Sequence, residues 1–236
     1  MRTTGLLALA LLFASAAHTG TLNLRWDACF GDGGVVNRTF ACNTNVGAEQ
    51  LVATFTPPTS VDSVTSIAAA IRFVFQGAAV PAWWQFGLTG SCRLNSLSTA
   101  ANLPAGASSC IDFASRDALY IYEYPSFGGP NTALLEVYTP YIPRGTFDLA
   151  AGQEYLAFVA AINHQNTIGT GSCGGCTVGT CMAFAQMVFS RPSKPDLDLF
   201  PSSAVDQAAT WQGGSTCRFI TSDRRSTWGD VKALYR

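Results

Sequence analysis

Apolar residues in this chain recur at the spacing of β-strands, and two stretches are apolar on both alternating faces. Residues 155–162 carry an apolar side chain at every position, and residues 182–189 do so at all but one. A strand that is buried on both sides has this pattern, so we predict two central strands. Residues 67–75 alternate with one apolar face, which predicts a half-buried strand.

Shorter alternating runs predict further strands at residues 22–26, 50–56, 119–124, 132–141 and 208–212. Residues 80–86 are expected to be extended as well. These runs together predict an all-β fold. We expect a single antiparallel β-sandwich of about eight to ten strands, jelly-roll or Ig/cohesin-like, over residues 18–218.

Two groups of aromatic residues are candidates for ligand contact. Neighbours in an extended segment point to opposite faces, so we expect one of Trp83 and Trp84 in the core and the other at the surface. Tyr120, Tyr122 and Tyr124 share one face of their predicted strand. Such a stripe can stack on sugar rings, but we favour the alternative of an aromatic ladder or core tyrosines with their hydroxyls at the rim.

The C-terminal residues 219–236 have a different character from the strands. A polar hinge is expected first, and then Trp228, Val231 and Leu234 recur at the spacing of one helix face. This predicts a short helix. Eleven residues are too few for a stable isolated helix, so it must dock, either on its own domain or on a partner.

The first residues follow the order of segments that is typical of a secretory signal peptide. A weakly basic start precedes an apolar run and then small residues, which predicts a signal at 1–17 and an exported product. The apolar run is shorter than the roughly 20 residues that a membrane anchor needs. Loss of Arg2 with the signal leaves 13 basic and 15 acidic residues. This balance offers no electrostatic reason to bind nucleic acid or anionic lipid.

All eight cysteines lie in the exported part, and an even number in an oxidising compartment predicts disulfides. We expect Cys29 to pair with Cys42 and Cys92 with Cys110, because these neighbours are isolated from the others. The pairing of Cys173, Cys176, Cys181 and Cys217 stays open. A zinc site made of Cys173, Cys176, Cys181 and His164 is the less favoured alternative.

Catalytic motifs are absent from the sequence. It contains no nucleophile elbow, metalloprotease helix, P-loop or dinucleotide fingerprint, and apart from His18 at the end of the signal region, His164 is the only histidine. We therefore expect no cofactor and no metal. Paired carboxylates of a secreted hydrolase stay possible. The candidates are Asp27, Asp112, Glu123, Glu136 and Asp148.

Several segments together resemble a group of uncharacterised exported bacterial proteins that has no established activity. They are residues 22–26, 40–45, 81–86, 128–131, 171–176, 210–214 and 227–236, which span most of the exported chain. The resemblance implies an extracellular bacterial setting and no catalytic residue. It also implies that the C-terminal Trp-Gly segment is a recurring part.

These observations predict a secreted or cell-surface protein that is structural or binding and not catalytic. A cell-surface protein or a glycan is the expected partner. Carbohydrate recognition through the exposed tryptophan and the tyrosines is the second hypothesis, and a secreted hydrolase is the third.

Overall fold

The computed structural model describes residues 21–87, 90–102, 104–112, 119–123, 126, 128–141, 145–192, 194–199, 208–213 and 217. The predicted signal peptide and the predicted terminal helix with Trp228, Val231 and Leu234 lie outside these residues, as does Tyr124. Within them the chain forms strands and one 3₁₀ turn, Ala82–Trp84. The strands are β1 (Thr21–Trp26), β2 (Asn37–Arg38), β3 (Ala48–Thr56), β4 (Val61–Val64), β5 (Ser66–Phe75), β6 (Leu97–Ala100), β7 (Ile111–Asp112), β8 (Leu119–Glu123), β9 (Thr132–Pro140), β10 (Phe147–Leu149), β11 (Tyr155–Asn163), β12 (Thr180–Ser190), β13 (Leu197–Leu199) and β14 (Ala208–Trp211).

Two main sheets form a β-sandwich, as predicted. Sheet A has the order β1-β3-β11-β6, with β7 also paired to β11. Sheet B has the order β2-β14-β12-β5-β9-β8, with β13 also paired to β12. All pairs are antiparallel except the two-residue strands β7 and β2, which run parallel to β11 and β14. Strands β4 and β10 form a separate small ribbon.

The two strands predicted to be central lie at the centres of different sheets. Strand β11 is flanked by β3 and β6 in sheet A, and β12 is flanked by β5 and β14 in sheet B. Each of these strands has apolar residues on its inner face, in the core, and on its outer face, in a smaller cluster with a disulfide-bonded segment. This explains why their sequences are apolar on both faces.

The core lies between the sheets and contains the alternate residues that the sequence pattern selected. Leu51, Ala53 and Phe55 of β3 meet the inner residues of β5, from Ile67 to Phe75. A smaller cluster with Val52, Leu156 and Val159 lies on the other side of sheet A. Among the described residues, no helix is long and apolar enough to cross a bilayer.

Disulfides are confirmed, but both predicted pairs are wrong. Cys29 pairs with Cys110, Cys42 with Cys176, Cys92 with Cys173, and Cys181 with Cys217. Sequence neighbours do not pair because the turn that holds Cys29 folds onto sheet A, whereas Cys42 lies beyond β2 and reaches the 164–179 connection. Since no cysteine is free, the zinc alternative has no thiolate ligands.

Candidate functional site

The predicted exposure of one tryptophan of the Trp83–Trp84 pair is wrong. Both side chains are fully buried, with 0% exposure. The segment forms a 3₁₀ turn, so the alternation of an extended chain does not apply. Trp83 and Trp84 instead pack with Trp211 at ring-centroid distances of 5.0 and 5.2 Å, and Trp26 contacts Trp211 at 5.9 Å. These four rings, which we call the tryptophan cluster, offer no surface on which a sugar could stack.

Two tyrosines of the stripe, Tyr120 and Tyr122, lie within the described residues, and both point inward, as the favoured alternative predicts. Tyr122 is buried against Phe73 and Phe86. Tyr120 is half-buried, and its hydroxyl donates a hydrogen bond to the Leu97 carbonyl at 2.6 Å. Burial raises the pKa of the Tyr120 phenol. Because strand side chains alternate, it is Leu119 and Ile121 of β8 that face outward.

A buried cation lies against the tryptophan cluster. The Arg93 guanidinium lies 3.9 Å from the Trp83 ring centroid and donates hydrogen bonds to the carbonyls of Asn163 and Gln165. Burial lowers the Arg93 pKa to about 10. The contacts tie the start of the glycine-rich 164–179 connection to the core, so the arginine serves to position that connection.

His164 is buried at the same place. Its Nε2 lies 2.9 Å from Glu49 Oε1, and its carbonyl accepts a hydrogen bond from the Thr167 hydroxyl. That hydroxyl in turn accepts one from Trp83 Nε1 at 3.0 Å. At 1% exposure the imidazole is closed to solvent, and its contacts hold the start of the connection.

Two carboxylates hold the turn that contains Cys29. Glu154 accepts hydrogen bonds from the amides of Phe30 and Gly31 at 2.9 and 3.0 Å, and from the Thr54 hydroxyl at 2.6 Å. Asp32 accepts from the Ser108 hydroxyl and amide, and these bonds lower its pKa. Cys29, Asp32 and Cys110 converge, but both cysteines are in a disulfide and cannot serve as thiolate ligands for a metal.

A shallow, open cleft among the described residues adjoins this turn. It has a volume of about 420 Å³, and its lining residues, which define the Phe30 cleft, are Arg25, Phe30, Gly34, Val35, Val36 and Asn37. The Phe30 ring is 53% exposed, and the Arg25 guanidinium lies 4.9 Å from its centroid. Arg25 is itself only 8% exposed and donates a hydrogen bond to the Leu24 carbonyl, so the accessible feature is the ring, which suits a partner with an apolar surface.

A second candidate surface is the outward face of sheet B near its β8 edge. Leu119 and Ile121 of β8 are exposed, and they lie opposite Tyr138 and Glu136 of β9. Burial, and then the neighbouring Glu123, raise the pKa of the Glu136 carboxyl. Of the other predicted carboxylates, Asp27 forms an ion pair with Arg38 and Asp148 accepts from the Ser63 amide.

Comparison with known proteins adds no assignment to this geometry. No protein-family model matches the chain, and no curated protein matches it significantly. The candidate sites therefore have to be judged by their chemistry.

The sequence pattern did not single out Phe30, Arg93 or Glu154 as important. Phe30 follows a cysteine inside a glycine-rich turn, and an aromatic residue in a turn of that composition is a signal that could have found it. Arg93 and Glu154 carry no local signal, because the hydrogen-bond partners of their side chains lie 45 or more residues away in sequence.

Proposed function

We propose that this protein is an exported, non-catalytic structural or binding protein of the cell exterior, and that it contacts a cell-surface partner through the Phe30 cleft. One observation carries the proposal. The polar side chains that could do chemistry hold loops in place: buried Glu154 and partly exposed Asp32 hold the Cys29 turn, while buried Arg93 and His164 hold the 164–179 connection.

Export is supported by the signal-like N-terminus and by four disulfides. Disulfides of this number persist in oxidising compartments and are rare in the cytosol. They join positions that are 36 to 134 residues apart in sequence, and the Cys29–Cys110 bond holds the turn that carries Phe30.

The Phe30 cleft is the preferred contact because the fold presents it rigidly. The Phe30 and Gly31 amides are bound to Glu154, and the adjacent Cys29 is bound to Cys110. An exposed aromatic ring on a fixed backbone loses little conformational entropy on binding, which favours its use as an anchor.

The test is binding of the purified, oxidised protein to cells of its source from which the gene has been deleted. Phe30→Ala is expected to weaken binding at least tenfold, a loss typical of an aromatic anchor. Val46→Ala is the matched control, because Val46 is 81% exposed and lies outside the cleft. Equal binding by both variants contradicts the role of the cleft. Reduced thiols in the protein as recovered from cells contradict export.

A second candidate function, glycoside hydrolysis, is favoured by the Glu123–Glu136 pair. The two residues lie on adjacent strands, and the raised pKa of Glu136 suits a general acid. Release of reducing sugars from cell-wall polysaccharides, abolished by Glu136→Gln, would establish this function. Absence of any such release leaves binding as the function.

A further inference from the structure

The outward face of sheet B is more apolar than a solvent-facing antiparallel sheet normally is. Strand pairing places Ala70 of β5 between Gln186 of β12 and Glu136 of β9, and places Ile121 of β8 beside Glu136. The next row along the strands contains Val188, Ala68, Tyr138 and Leu119. Leu119, Ile121 and Tyr138 are 67%, 50% and 45% exposed. We call the surface around Leu119, Ile121 and Tyr138 the β8–β9 face.

A covalent tether brings the C-terminal segment to this side of the sandwich. Cys181 of β12 lies opposite Val74 of β5, and both belong to a small outward cluster that includes Cys217. The disulfide between Cys181 and Cys217 therefore fixes the start of residues 218–236 on the outer side of sheet B. These residues themselves lie outside the described part of the chain.

The distance from the tether to the β8–β9 face is within reach of the segment. From β12 to β8 is three strand spacings, about 14 Å, and the offset along the strands to Ile121 is also about 14 Å. The direct path is therefore about 20 Å. Eight extended hinge residues, 218–225, span up to about 26 Å, which leaves residues 226–236 free to lie on the face.

The chemistry of the segment complements the face. Its apolar helix positions are Trp228, Val231 and Leu234, and it contains five basic residues and two acidic ones. The face carries Glu123, Glu136 and, at its far side, Asp198, against one cation, Arg72. A basic amphipathic segment tethered beside an acidic, exposed apolar surface has both an apolar and an electrostatic reason to dock there.

We propose that residues 218–236 fold back in cis and dock on the β8–β9 face, with Trp228, Val231 and Leu234 packed against Leu119, Ile121 and Tyr138. Basic side chains of the segment then lie beside Glu123 and Glu136. Tethering favours this intramolecular contact over one with another chain, because it raises the effective concentration of the segment at the face. Docking also places these carboxylates against basic groups, so it is incompatible with the hydrolase candidate.

Backbone hydrogen exchange tests the proposal on the full exported chain. Exchange in the face is measured after substitutions in the segment, and exchange in the segment after substitutions in the face. A W228S/V231S/L234S variant keeps Cys217 and is expected to raise exchange in peptides covering 119–123 and 132–140 about tenfold. Conversely, an E123K/E136K variant is expected to raise exchange in peptides covering 226–236. Ala233→Ser, off the predicted apolar helix positions, and Asp62→Lys, an exposed acid on β4, are the matched controls. Circular dichroism checks that each variant is folded.

Three outcomes would overturn cis docking. Residues 226–236 could exchange at the rate of an unstructured peptide in the unmodified protein. Exchange in β8 and β9 could be the same in the triple variant and in the Ala233→Ser control. Protection could also rise with protein concentration, which would assign the face to a second copy of the chain. Protection that is independent of concentration and lost reciprocally in the two variants supports the proposal.

Discussion

Replacing Glu154 by glutamine tests whether the Cys29 turn is held by a buried carboxylate. The two carboxylate oxygens bind different backbone groups: Oε1 accepts a hydrogen bond from the Phe30 amide, and Oε2 accepts one from the Gly31 amide. Glutamine has the same shape but only one oxygen. Whichever way its amide is oriented, one of the two backbone N–H groups faces an NH₂ group and loses its acceptor.

The expected destabilisation follows from that geometry. An unsatisfied N–H in this half-buried site costs about 1–3 kcal/mol, and the remaining bonds weaken by about 1 kcal/mol when the charge is lost. Glu154→Gln should therefore lower the free energy of unfolding by about 2–4 kcal/mol. It should also weaken partner binding in the same direction as Phe30→Ala, because the Phe30 backbone is no longer fixed.

Urea unfolding of the oxidised protein, followed by tryptophan fluorescence, measures the first effect. The four buried tryptophans of the tryptophan cluster report loss of the core. Asp62→Asn is the control, since Asp62 is an exposed carboxylate that pairs with Lys194 at the surface. If the midpoint of Glu154→Gln coincides with that of Asp62→Asn, the carboxylate does not hold the turn as described.

Three further predictions concern the core and the β8–β9 face. Arg93→Lys loses the flat contact with Trp83 and at least one carbonyl bond, so it should lower the unfolding free energy by about 1–3 kcal/mol in the same urea assay; an unchanged midpoint would contradict this role. Gly175 has a φ of +114°, and a Cβ there would overlap Pro81, whereas a Cβ at Gly174 meets open space. Gly175→Ala should therefore cost about 2–4 kcal/mol and Gly174→Ala less than about 1 kcal/mol; similar costs would refute the clash. The raised pKa of Glu136 means that its ionised form opposes folding when no basic group lies beside it, so Glu136→Gln in the W228S/V231S/L234S background should raise the melting temperature at neutral pH. This gain should shrink as the pH falls through the raised pKa towards the ordinary glutamate value of 4.5, and a gain independent of pH would contradict the assignment.

Strand positions followed closely from the sequence where the apolar pattern was long or regular. Strand β5 was predicted with its inward face, Ile67 to Phe75, and β3 with Leu51, Ala53 and Phe55 inward. These predictions succeeded because side-chain alternation is a local property of an extended chain. The same rule failed at Trp83 and Trp84, where Pro81 precedes a 3₁₀ turn and both rings enter the core.

Disulfide pairing illustrates what local pattern cannot supply. The sequence establishes that the eight cysteines oxidise if the chain is exported, and the structure pairs all of them. Which cysteines meet depends on the sheet edges from which their loops leave. Cys42 and Cys176 are 134 residues apart in sequence and are brought together only by the packed sandwich.

The sequence by itself determined the β class, the core faces of the long strands and the need for covalent ties in the glycine-rich connection, because each depends on residue type and short-range spacing. Only the tertiary structure decided the partners of Arg93 and Glu154, the burial of the Tyr122 side chain and the exposure of Phe30. Each of these depends on contacts between residues far apart in sequence, and such contacts exist only after the sheets have paired and packed.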